Sequence, residues 1–274
     1  MPRNPPVQRR SSATDRGPVA ARRPRRWGLL LLLAASVVLA TTVIGFTVWA
    51  LTPSGPSDEA LAALASDDAV LVTADGGSFV FSSQHDEPTY GIILYPGGRV
   101  DARSYAPLAR ELALRGYLVI VPRMTLNLAV FSPDRATEAI DSNPQIRGWA
   151  VGGHSLGGAM AASYADDNPQ RVEALVLLAA YPAGSADLSD SDLTVVSIYG
   201  TEDGVLSEAR FTEGIGLLPG DTAYVEIEGG NHAQFGSYGL QAGDGVATIE
   251  PHDQLLRTAE AISSALLPLR LKTR

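Results

Sequence analysis

The residues with the most chemical potential lie in three short stretches: Gly153-His154-Ser155-Leu156-Gly157-Gly158, Gly200-Thr201-Glu202-Asp203-Gly204 and Gly229-Gly230-Asn231-His232. A serine hydroxyl is a poor nucleophile at neutral pH. It becomes useful when a base lies within hydrogen-bond reach and a carboxylate holds that base in one tautomer. The first stretch is G-x-S-x-G, set between an apolar run at 148–152 and an Ala-rich helical pattern. Glycines at 153 and 157 let strand and helix approach closely while the Ser155 hydroxyl stays exposed on a strained turn, beside the positive end of the helix dipole. Of the four histidines, His154 belongs to the turn itself and reads as structural. His85 sits in a polar loop, and His252 opens the last helical pattern after Pro251, a place for capping or solvation. His232 follows the last expected strand directly and is the candidate base. Glu202 or Asp203 can supply the acid. Asp203 is favoured because the turn after Gly200 aims it back over the strand ends, and an Asx-turn with Gly204 is its competing role.

A tetrahedral intermediate needs two preorganised N–H donors. The backbone of Leu156 is one candidate. The other is Gly98 or Arg99 in the loop Tyr95-Pro96-Gly97-Gly98-Arg99, where glycines permit close approach. Tyr95, Leu128 and Phe131 are candidate substrate contacts, and Leu126 and Val130 share their apolar segment, for which an ordinary core role is the alternative.

These residues need a scaffold that brings them to one edge. Short β-branched runs at 69–73, 78–81, 91–95, 117–121, 148–152, 174–179, 193–199 and 223–227 predict strands, the first two as a hairpin. The later runs are almost wholly apolar, as in a parallel sheet covered on both faces. Helices are predicted over 104–115, ending at Gly116, from 155 to before Asn168-Pro169, and over about 252–267. The fold class is α/β, a doubly wound, mostly parallel sheet, with ligands at the C-terminal strand ends. Only about a dozen residues separate Tyr181 from the next strand, so little or no lid is expected.

The N-terminus carries a different signal. Residues 28–51 form 24 consecutive uncharged positions rich in Leu, Val and Ala. A helix needs roughly 20 residues to cross a hydrocarbon core. Arg22, Arg23, Arg25 and Arg26 precede the run, which by the positive-inside tendency leaves the body outside the cytoplasm. The expected organisation is a disordered Arg-rich cytoplasmic segment (1–26), a transmembrane signal anchor (27–51), a linker and lead-in (52–68, with 52–59 as a tether) and a catalytic domain (69–274). The localisation is then the cell membrane, single-pass, or secreted if the segment is cleaved. A lipid bilayer is the expected partner of the helix.

Charge and composition narrow the function further. Residues 1–26 hold eight Arg against one Asp, a net +7, which leaves −16 for the remainder of a chain whose total is −9. With Lys272 as its one lysine, this acidic body is a poor surface for phosphates, and nucleic acid is set aside. The absence of cysteine excludes a disulfide framework, a thiolate nucleophile and Cys-based metal sites.

On Tyr95-Pro96-Gly97-Gly98, Gly153-His154-Ser155-Leu156-Gly157-Gly158, Gly200-Thr201-Glu202-Asp203 and Gly230-Asn231-His232, the body from about residue 69 to 266 resembles the α/β-hydrolase superfamily. It is most similar to the compact bacterial branch near dienelactone hydrolases and small carboxylesterases. The resemblance implies a Ser155-Asp203-His232 triad in the chain order of that superfamily, an ester substrate of small or medium acyl length, and neither cofactor nor metal. The chain departs from many relatives in having Tyr-Pro-Gly-Gly where they have His-Gly, and from dienelactone hydrolases in using serine instead of cysteine. An acyltransferase or amidase on the same residues, and a non-catalytic binding module on the same fold, are the alternatives.

Overall fold

The computed structural model describes residues 1, 26–75, 77–184 and 186–273; most of the segment expected to be disordered (1–26) lies outside the described residues. The chain forms two compact units, Met1–Gly45 and Phe46–Arg274. Among the described residues, helix α1 (Arg26–Ala50) lies in the first unit as far as Gly45 and contributes its last turn to the second. Its segment Trp27–Ala50 is long and apolar enough to cross a membrane.

The second unit is built on one eight-stranded sheet: β1 (Val70–Asp75), β2 (Ser78–Ser83), β3 (Tyr90–Tyr95), β4 (Leu118–Pro122), β5 (Gly148–His154), β6 (Ala174–Leu178), β7 (Thr194–Gly200) and β8 (Ala223–Ile227). The spatial order is β1-β2-β4-β3-β5-β6-β7-β8. β1, β2 and β4 pair antiparallel, and every pair from β4 onward is parallel. All eight strands fall within two residues of their sequence-predicted bounds. The central strands are buried at every position, and alternate residues feed opposite cores. Ile92 and Leu94 pack with Leu108, Leu112 and Ile262 on one face, while Ile93 and Tyr95 pack with Ala161 and Ala162 on the other. That period of two, apolar on both faces, is why these runs show no polar alternation.

The remaining helices are α2 (Asp58–Ala62), α3 (Ala106–Leu114), α4 (Arg135–Asp141), α5 (Leu156–Asp167), α6 (Glu208–Ile215) and α7 (Pro251–Lys272). The helix expected from residue 104 begins instead as a 3₁₀ turn, Ala102–Tyr105, because the Asp101 carboxylate accepts from Arg103 N at 2.9 Å and winds the chain there first. It stops where expected, at Gly116 with φ +85°. α7 runs past its expected end through Pro268. Residues 52–59 are not a free tether. Ser54 forms a parallel bridge to Val100, its N–H donates to Arg99 O at 2.8 Å, and Asp101 N donates to Ser54 O at 3.0 Å. Ser57 N donates to Ser237 O at 2.8 Å. Prolines at 53 and 56 hold the segment extended, and its free backbone groups then pair with the body like a short edge strand.

A buried histidine closes β5. His154 is enclosed by the rings of Tyr105, Phe235, Tyr238 and His232, the last at 4.5 Å between centroids. Gly97 N donates to Tyr105 Oη at 2.8 Å, so the hydroxyl proton is left for His154 Nδ1, also at 2.8 Å. Burial, and then the proximity of His232, hold the His154 imidazole well below its ordinary pKa. A depressed folded-state value means that the unfolded chain takes up this proton first. Its effect on stability is therefore absent above the unfolded value of about 6.5 and grows as pH falls, at about 1.4 kcal/mol per pH unit. Thermal unfolding of the detergent-solubilised chain checks this. Between about pH 7 and about pH 5.5 the wild type should lose more stability than His154→Gln, which keeps an acceptor for Tyr105 but cannot titrate. Equal losses would show that His154 is not held neutral.

Candidate active site

β5 leads without a break into the turn that presents Ser155, at φ 53° and ψ −122°. Residues with a side chain rarely adopt this backbone conformation. Ser155 N donates to Leu178 O at 2.9 Å, and Ala159 N donates to Ser155 O at 3.1 Å, which fix the turn to β6 and to the first turn of α5. The neighbours must lack side chains. A Cβ at Gly157 would lie 2.3 Å from Tyr95 O and 2.4 Å from Pro96 O, and one at Gly153 would lie 2.5 Å from the Gly157 carbonyl carbon. The loop after β3 therefore rests directly on the backbone of the serine turn.

That loop has three N–H groups near the serine, and two are already engaged. Gly97 N is held by Tyr105, and Arg99 N donates to Asn127 O at 2.8 Å. Gly98 N and Leu156 N have no acceptor among the described residues, and the two residues are in contact: a Cβ at Gly98 would lie 3.1 Å from Leu156 Cδ2. Of the two N–H groups expected in the loop, that of Arg99 is corrected, being taken by Asn127 O, and that of Gly98 is left unengaged among the described residues. Arg99, at φ 57°, turns its guanidinium toward the chain leaving α1, where Nε donates to Trp49 O at 2.9 Å and Nη2 to Thr52 O at 2.7 Å.

The candidate acid and the candidate base meet across two loops. Asp203 Oδ2 and His232 Nδ1 are 2.8 Å apart, with both side chains almost fully buried. Asp203 Oδ1 accepts from Val205 N at 2.8 Å and Leu206 N at 2.7 Å. The Asx-turn that competed with the acid role is therefore present together with the histidine contact, one oxygen for each. Glu202 is exposed. His232 Nε2 is buried without a hydrogen-bond partner among the described residues, and His232 and Ser155 line the same cleft of about 270 Å³. An imidazole anchored at Nδ1 with Nε2 unpartnered can accept a proton from a hydroxyl brought within reach in the cleft and return it.

Two residues behind His232 carry no motif and escaped the sequence reading. Asp244 accepts from Gly204 N, His232 N and Gly245 N through Oδ1 at 3.1, 3.2 and 2.9 Å, and from Ala233 N through Oδ2 at 2.8 Å. It thereby joins the acid loop to the base loop. Gln254, fully buried on α7, accepts from Asn231 N at 3.0 Å and donates to Asn231 O at 2.8 Å. A Gln on the helix stripe that also holds Thr258, Ala259, Ile262 and Leu266 was the one available signal.

The expected substrate contacts need correction. Tyr95 is wholly buried, and its hydroxyl donates to Pro133 O at 2.7 Å and accepts from Ala136 N at 2.9 Å, so it serves the core beneath α4. Leu128 packs at the edge of the Gly98 loop, and Phe131 is 49 % exposed with its ring against Phe46. The cleft is walled instead by Leu156, Ala159, Tyr181, Ala183, Val205 and Leu206. These follow β5, β6 and β7, as the rule for open sheets requires. Between β6 and β7 no helix is present among the described residues.

Comparison with known proteins places this geometry. A protein from Thermoplasma acidophilum described as a predicted CIB-like hydrolase has a similar fold: TM-score 0.54 and 15% identity, over 71% of this chain and 97% of that one. No curated protein matches the chain. The sequence profile of the Alpha/beta hydrolase family matches residues 91–256, which takes in both the serine turn and the histidine loop and spans more than half of the chain. On that match the chain belongs to the alpha/beta hydrolase family and is a hydrolase.

Proposed function

We propose that the protein is a serine carboxylesterase that cleaves small or medium acyl esters through an acyl-enzyme. The observation that carries this reading is the buried Asp203–His232 contact with the free Nε2 sharing a cleft with Ser155. Ser155 Oγ attacks the ester carbonyl and passes its proton to His232 Nε2. Asp203 holds the imidazole in the tautomer that accepts it and stabilises the imidazolium that results. The carbonyl oxygen, now negative, is met by Gly98 N and Leu156 N, preorganised donors that need no reorientation. Collapse expels the alcohol, which takes the proton from His232, and water repeats the sequence to release the acid. The apolar wall from Ala159, Tyr181 and Leu206, in a cleft of about 270 Å³, suits a short acyl chain.

We further read α1 as a retained anchor with the Arg-rich segment cytoplasmic and the hydrolase unit on the outer side. Support comes from the last turn of α1. Trp49 O and Ala50 O accept from Arg99 Nε and Asn127 Nδ2, at 2.9 and 3.0 Å. A segment removed by cleavage would take these bonds with it.

The full chain, solubilised in detergent, should hydrolyse p-nitrophenyl acetate and label with a fluorophosphonate. Ser155→Ala should abolish labelling and lower kcat by about 10⁶-fold, and Asp203→Asn should lower it by about 10⁴-fold. Undiminished turnover in Ser155→Ala removes the reading. Asp244→Ala strips four N–H groups of their acceptor. It should lower kcat by about 10- to 100-fold with little change in KM, because the imidazole is displaced while the cleft wall remains; an unchanged kcat would show that the two loops hold their positions without it. Membranes from expressing cells, washed with alkaline carbonate, should retain the chain with its N-terminal segment intact by mass. A soluble product beginning after residue 51 would overturn the anchor reading.

A further inference from the structure

The loop that carries Gly98 is fastened to the end of α1. Beyond its bonds to Trp49 O and Thr52 O, the Arg99 guanidinium lies 4.4 Å over the Trp49 ring, and Asn127, which receives the Arg99 N–H, donates its own side-chain amide to Ala50 O. Around this clamp the surface is apolar. Trp49 is 46 %, Val130 44 % and Phe131 49 % exposed. The Phe46 ring bridges them, 5.8 Å from Trp49 and edge-on to Phe131 at 6.3 Å. The 3₁₀ turn Ala129–Phe131 follows Leu128, whose Cδ2 lies 3.8 Å from where a Gly98 Cβ would be. The patch therefore starts beside the candidate oxyanion donor and continues onto the final turn of an apolar helix.

We propose that the patch formed by Phe46, Trp49, Val130 and Phe131 sits in the interface of a lipid bilayer, so that the catalytic cleft opens at the headgroup layer and takes acyl esters borne by the membrane. The inference rests on reading α1 as a membrane span and deepens the esterase reading by naming where its substrate comes from. Its physical basis is continuity. The patch is completed by the closing turn of the helix that would leave the bilayer there. Its aromatic rings are the side chains that favour the boundary between hydrocarbon and water. Its one central charge, Arg99, is already satisfied by two carbonyls and an aromatic face. An exposed apolar patch at a site mouth marks a surface that another phase or partner covers.

The chain contains no cysteine, so single cysteines can be introduced and labelled cleanly. Val130→Cys carries an environment-sensitive fluorophore on the patch. Leu39→Cys reports the span, and Gln170→Cys, in the connection from α5 to β6 at the N-terminal ends of the strands, reports the far side. With the full chain in phosphatidylcholine vesicles containing spin-labelled lipid, the probes at 39 and 130 should be quenched and that at 170 should not. Quenching at 39 alone overturns the inference and leaves the span standing; quenching at neither 39 nor 130 overturns both. In the same vesicles Val130→Gln should lower hydrolysis of an incorporated long-chain p-nitrophenyl ester by about tenfold, while p-nitrophenyl acetate turnover changes less than about twofold. Equal loss on both esters, or loss on neither, overturns the assignment of a membrane-borne substrate. An intact span with no hydrolysis of either ester by the wild type overturns the esterase reading and, with it, the naming of the substrate.

Discussion

The site depends on how closely two neighbouring strand ends can approach. β3 and β5 pair in parallel up to Tyr95 and Gly153, and both chains must then turn away within the same few ångströms. The turn after β5 does so at a Ser155 conformation that costs energy wherever it occurs. The turn after β3 lays its carbonyls against Gly157, where any side chain would be driven into Tyr95 O and Pro96 O. Contact between the two backbones sets Gly98 beside Leu156. The two unengaged N–H groups are thus placed by the same crowding that shapes the turn at Ser155. The strain at Ser155 is held by bonds on either side, to Leu178 O and from Ala159 N.

The other half of the site is assembled by polar contacts instead of crowding. β7 and β8 are adjacent, so their following loops emerge side by side, yet loops do not hold a carboxylate and an imidazole in register by themselves. Asp203 divides its oxygens between its own turn and His232. Asp244 gathers N–H groups from both loops, and Gln254 clamps Asn231 from α7. Behind the imidazole, His154 and Tyr105 pass a hydrogen-bond chain from the β3 loop to the base of the serine turn. Catalysis by positioned groups tolerates displacements well under an ångström, which gives a physical reason for so many buried acceptors behind a single histidine.

The sheet was legible because a strand covered on both faces writes itself as an unbroken apolar run, and glycine marks the sharp turns. The candidates Ser155, Asp203 and His232 were picked out for a related reason: each lies within five residues of the end of a strand. The cleft wall was misread. Tyr95, Leu128 and Phe131 are apolar residues after strands, and one-dimensional reading does not say whether such a residue faces the cleft, the core or the surface. Tyr95 faces the core, because an odd position on β3 belongs to the face beneath α5. Arg99 failed as a donor for a different reason. Its partner Asn127 is remote in sequence, and which N–H in a glycine loop stays free is decided by what folds over it. Asp244 was invisible because it acts on backbone groups, which carry no sequence signature, and Gln254 offered only a polar residue on the buried side of α7. The short helices α4 and α6 lack enough turns for a periodic signal.

Arg99 is also where the two parts of the sequence reading, an apolar helix and a hydrolase, cease to be independent. A tether of Pro, Ser and Gly would let the hydrolase unit diffuse around its anchor, and the site would have no fixed relation to the membrane. The observed segment is short and paired with the body from Ser54 to Ser57, and the turn before it is bonded to the loop that carries Gly98. Any force on the end of α1 is therefore delivered to the backbone of that loop through Arg99 and Asn127. On the reading of α1 as a span, the bilayer fixes one end of this short path and the strained serine turn the other. The chain that leaves α1 is thus joined to the Gly98 loop by Arg99 and Asn127 and to the body by Ser54 and Ser57.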